Sequence, residues 1–155
     1  MKRTVIYVLI LALLPLAPVK RADVAQLQPV EAIWLYKADG RVVICTDTFD
    51  TGEGDTALQA VEQLHRSTPA LVYLDTADYL IVAEEARQDA AQLQGVLKTG
   101  VGVCLSRSEP DLETVARYLD IHGRLPSLEQ WLNGEEPPLL LAEKGQIKLL
   151  ENYVK

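Results

Sequence analysis

The chain has 155 residues, 48% of them hydrophobic, 24% charged and 6% aromatic, with a formal net charge of −7. That is one domain's length plus a short targeting segment, and the apolar fraction excludes a disordered or low-complexity chain. Two cysteines exclude a disulfide-dense scaffold and a four-cysteine zinc site, two histidines leave little for a metalloenzyme, and the acidic balance argues against nucleic acid as a partner.

The first segment in chain order is also the clearest. Lys2 and Arg3 precede an uncharged, mostly apolar run from Thr4 to Val19, and Lys20 and Arg21 close it. A basic start followed by an apolar core is the pattern of an export signal. As a helix the run would measure roughly 24 Å, slightly short of a full bilayer span. Signal peptidase prefers small residues at −3 and −1. A cut after Ala17 places Pro15 at −3, and a cut after Ala22 places Lys20 there. The reading is an uncleaved anchor over residues 1–21, with a cleaved signal peptide as the alternative. Residues 22–155 are expected as a single extracytoplasmic domain, exported and tethered at the cell membrane, or secreted if the leader is cleaved. The leader holds four basic residues and no acidic one, so the body carries 11 basic against 22 acidic residues. Such a body is repelled by anionic lipid and nucleic acid, and only the leader is expected to meet the membrane.

Within the body, residues 22–30 form a lead-in. Ala32–Tyr36 reads as a strand, Asp39-Gly40 as a turn, and Arg41–Thr46 as the returning strand. Asp47–Asp55 reads as an acidic loop. Ala57, Leu58, Ala60, Val61 and Leu64 then share one helical face over 56–66, capped by Asp55 or Thr56. Strands follow at Leu71–Leu74 and Tyr79–Ala83, a helix over Glu84–Lys98, and a buried strand at Val101–Leu105. Ser108 is read as the cap of a helix through Ile121 that Gly123 ends, and Ser127–Leu132 as a short helix stopped by Asn133-Gly134. Leu139–Ala142 and Ile147–Tyr153 make a final hairpin. Strands alternating with helices predict an α/β (α+β) fold, a mixed sheet of short strands covered by helices.

Few residues offer chemistry. Cys45 and Cys104 sit in apolar strands and read as buried thiols, with a disulfide as the alternative if the body is exported. His65 and His122 stand at helix C-terminal ends, where the helix dipole favours an imidazolium. The loop from Asp47 to Asp55 holds four acidic side chains that could gather calcium, although its spacing departs from the EF-hand pattern. Glu84 and Glu85 are adjacent at a helix start, which suits the dipole and not a carboxylate pair facing across a cleft. No serine stands in a Gly-x-Ser-x-Gly elbow. The expectation is a non-enzymatic protein without metal or cofactor, with Asp55, Glu84 and Glu85 as candidate interaction residues. The alternative is an exported small-ligand or calcium-binding sensor domain.

Several segments, in order, resemble the N-terminal domain of the Ger(x)C family, the C-subunits of spore germinant receptors. They are the lead-in from Arg21 through Trp34-Leu35, the Gly52-Glu-Gly-Asp-Thr turn with its following helix, Leu80-Ile-Val-Ala-Glu-Glu-Ala-Arg, and Val101-Gly-Val-Cys-Leu with a helix ending in Tyr118-Leu119. The likeness spans roughly residues 20–125. No cysteine stands near the end of the apolar run for lipid attachment, and the likeness does not extend to the family's later domains. The resemblance implies a truncated single-domain relative, with other envelope or spore membrane proteins as partners and a role in germination by analogy of fold.

Overall fold

The computed structural model describes residues 27–69, 71–143 and 146–150. The leader at 1–21 lies outside the described residues. The elements are β1 (Leu27–Pro29), β2 (Ala32–Ala38), β3 (Arg41–Thr46), β4 (Thr51–Gly54), α1 (Ala57–Ser67), β5 (Leu71–Tyr73), β6 (Tyr79–Ala83), β7 (Gly102–Ser106), α2 (Leu112–His122), α3 (Leu128–Leu132), β8 (Leu139–Glu143) and β9 (Gln146–Leu150). Seven strands form one sheet in the order β4-β3-β2-β6-β7-β8-β9, and β1 pairs with β5 in a separate parallel ribbon. The four central strands β2, β6, β7 and β8 are parallel, while β3, β4 and β9 join antiparallel. The fold is therefore the mixed α/β class expected.

The parallel centre follows from its sequence. Leu80, Ile81, Val82 and Ala83 of β6 are all buried, the uninterrupted apolar run of a strand covered on both faces. Leu80 and Val82 point into one core with α1, and Ile81 points into the other with α2. Helix α1 contributes Ala57, Ala60, Val61 and Leu64 to the first core, and α2 contributes Leu112, Val115, Ala116 and Leu119 to the second. Thr56 caps α1 by accepting from the Gln59 N–H, and Ser127 with Gln130 forms a capping box on α3. Among the described residues no helix is long and apolar enough to cross a membrane.

Four readings of the sequence change. Residues 51–54, taken as loop, form strand β4, because glycines at 52 and 54 let α1 lie directly on its backbone. The lead-in contains β1. The span 84–98 is not one α-helix but two 3₁₀ turns, Glu84–Ala86 and Ala90–Leu93. Neither turn has a side-chain cap, Gly95 turns away at φ +89, and Asp89 and Arg87 are drawn to Lys37 and Glu136 on separate elements. Helix α2 starts after Asp111, not Ser108, since the Asp111 carboxylate accepts from the Thr114 N–H while the Ser108 carbonyl accepts from the Ser106 hydroxyl.

Candidate functional site

The three residues singled out in the sequence do not form one site. Asp55 is exposed beyond the edge strand β4, with its carboxylate 3.8 Å from Arg41 Nε. Glu84 follows β6 and pairs with Arg107 at 3.3 Å, and Glu85 beside it is exposed. β3 and β2 lie between β4 and β6, so the two positions stand roughly 14 Å apart, at ~4.8 Å per strand.

The cysteine pairing also fails on register. Cys45 lies opposite Trp34, Trp34 opposite Ile81, and Ile81 opposite Cys104. Three strand spacings, roughly 14 Å, separate thiols that a disulfide would need at ~4.4–6.8 Å between Cα atoms. Both cysteines are free. Burial pushes the Cys104 thiol up to about 12, and burial with the negative field of Glu109, Asp50 and Asp47 raises that of Cys45. Thiolate is the reactive form, so both are poor nucleophiles. In the native protein iodoacetamide is expected to leave Cys104 unlabelled and Cys45 slow, with both labelling quickly in denaturant; mass spectrometry of Cys104 peptides reads the result, and rapid native labelling of Cys104 would contradict its burial.

The acidic segment after β3 spends its carboxylates locally. Asp47 Oδ2 accepts from the Glu31 N–H at 3.1 Å, Asp50 accepts from the Thr48 and Thr68 hydroxyls, and Glu53 pairs with Arg41 at 2.6 Å. Among the described residues no group of three or more His, Cys, Asp or Glu could hold a metal ion. His65 and His122 each stand in the last turn of a different helix, as expected, with the His122 ring against Tyr118 at 4.8 Å.

What the fold does assemble is a cleft of about 260 Å³ between the end of β3 and the start of α2. Trp34, Cys45, Asp47 and Phe49 line one side, and Glu109 and Pro110 lie on the approach to α2. Trp34 stacks on Tyr36 at 3.9 Å between centroids. Its Nε1–H and Asp47 Oδ1 are both shut off from solvent and have no hydrogen-bond partner among the described residues. Such groups are uncommon in folded proteins and cost free energy when left unpaired. Burial pushes the Asp47 carboxyl up, only partly offset by backbone N–H groups. Phe49 holds a left-handed φ of +64 and is 86% exposed. The cleft was missed in the sequence because its walls come from β2, β3 and the loop before α2. The one local signal was a phenylalanine flanked by polar residues inside an acidic stretch.

Compared with known proteins, the chain matches no family model, no curated protein and no solved structure.

Proposed function

We propose that the body is a non-enzymatic recognition domain that acts by contact on the extracytoplasmic side of a membrane, to which the leader tethers it. The observation that carries the recognition half is the cleft lined by Trp34, Asp47 and the exposed Phe49, which offers aromatic surface and carboxylates in one concavity. Raised thiols at Cys45 and Cys104 and histidines on separate helices give the same body little for bond-making chemistry. The tether rests on the Lys2–Arg21 pattern, and the resemblance to Ger(x)C N-terminal domains is the support for contact with spore or envelope membrane proteins. The exported small-ligand sensor is the second reading, favoured by the same cleft.

The test is fractionation of cells expressing the full chain. Retention in the membrane after a carbonate wash, with the body digested by protease added outside intact spheroplasts, is the expected result. Release into the carbonate supernatant would remove the anchor, and a protected body would remove the extracytoplasmic placement.

A further inference from the structure

We propose that β9, the last strand of the sheet, is a docking edge that takes an extended segment of a partner protein by strand addition, with apolar side chains beside Ile147 and Leu149 and a carboxylate beside Lys148. This rests on the reading of the body as a contact domain and names its partner by chemistry.

The two edges of the seven-stranded sheet are finished differently. At β4 the outward N–H groups are spent. The Glu53 N–H donates to the Gln63 side chain and the Asp55 N–H to the Gln59 side chain, each at 2.9 Å, and both glutamines stand on α1. At β9 the outward groups follow from the ladder. The Leu105 N–H donates to the Pro138 carbonyl at 2.9 Å, and Leu105 lies opposite Leu139. The backbone groups of Pro138 and Leu140 therefore face β7, and those of Leu139, Leu141 and Glu143 face β9. Opposite the last three lie Leu150, Lys148 and Gln146, which turns the N–H and C=O of Ile147 and Leu149 outward. Among the described residues no group bonds to them. Unpaired edge groups of this kind are a template for a further strand.

The side chains select the partner. Ile147 and Leu149 are half-buried against the core under α2, whereas Lys148, the one charge on β9, is exposed on the other face. A strand that continues the pleat lays apolar residues beside Ile147 and Leu149, and a carboxylate next to Lys148 completes the match in charge. A second copy of β9 does not supply this. Outward-facing residues lie opposite outward-facing ones, so in an antiparallel seam Lys148 meets Gln146, Lys148 or Leu150 of the other β9 and no carboxylate. Two bodies that each carry 11 basic against 22 acidic residues also repel one another.

The probes are two blocked peptides, acetyl-Val-Thr-Val-Glu-Val-Thr-Val-amide and the same peptide with lysine in place of glutamate, titrated into the full chain in detergent. The glutamate peptide is expected to bind in the millimolar range or tighter and to slow hydrogen exchange at the Ile147 and Leu149 amides by about threefold or more, leaving Glu53 and Asp55 unchanged. The lysine peptide should bind at least about threefold more weakly. Lys148→Glu alters an exposed side chain, so it should keep the melting temperature and reverse the preference between the peptides. No binding, equal affinity for the two peptides, or heat without slowed exchange at Ile147 and Leu149 would overturn the proposal. Sedimentation showing a dimer whose formation alone slows the same two amides would assign the edge to a second copy and overturn it as well. Each of these failures leaves the fractionation result standing, so loss of the docking edge and loss of the tethered body are read separately.

Discussion

Gly52→Ala is expected to be among the most damaging single changes in this protein, lowering stability by about 3 kcal/mol or more. A Cβ built at Gly52 would stand 2.1 Å from the Ala60 carbonyl oxygen, 2.6 Å from the Leu64 amide nitrogen and 2.7 Å from Leu64 Cβ. Two of those atoms are helix backbone, which no rotamer change can move. Relief requires α1 to lift from β4, exposing Ala60 and Leu64, both fully buried. The penalty is steric, since Gly52 does not have a positive φ. Gly100→Ala is the matching control. Nothing lies within 4 Å of its Cβ position, and its φ is ordinary, so it should be close to neutral. Urea denaturation of both variants measures the contrast. A Gly52→Ala protein within 1 kcal/mol of wild type would show that the helix does not rest on that strand.

Leu80→Ala should cost about 3–5 kcal/mol. Leu80 is fully buried on β6, the middle strand of the seven, and it faces the core shared with α1. Truncation removes its apolar contacts, and strands paired on both sides of β6 restrict collapse into the void. The same truncation one residue on, Ile81→Ala, opens the opposite core against α2. Because the sheet separates the two cavities, the double variant should lose close to the sum of the single losses. Thermal or urea unfolding gives all three values. A Leu80→Ala loss below 1 kcal/mol would place β6 nearer the surface than its burial implies.

How much of this was legible beforehand depended on whether a feature was local. The β2–β3 hairpin announced itself through Asp39-Gly40, and both residues do take positive φ. The face of α1 was written in the spacing of Ala57, Ala60, Val61 and Leu64, although Leu58, read onto the same face, is exposed. By contrast, β4 has two glycines in four residues, which reads as a turn because nothing in the segment reveals the helix packed above it. The 84–98 span keeps a helix-like apolar spacing at Ala86, Ala90, Leu93 and Leu97, yet distant ion pairs and Gly95 break it into turns. Tertiary contact overrode local preference in both cases. The cleft was the least legible feature, because Trp34, Asp47 and Glu109 converge only when β2, β3 and the loop before α2 are in place.

The placement of β6 beside β2 has a consequence for how the polypeptide reaches its native state. β2, β3 and β4 are neighbours both in space and along the chain, so they can zip together as a meander within microseconds. The parallel partner of β2 emerges only after β3, β4, α1 and β5 have been laid down. Until that long loop closes, the inner edge of β2 has no partner strand. A polypeptide threaded outward from its N-terminus would therefore carry this sticky ribbon uncovered through its slowest step.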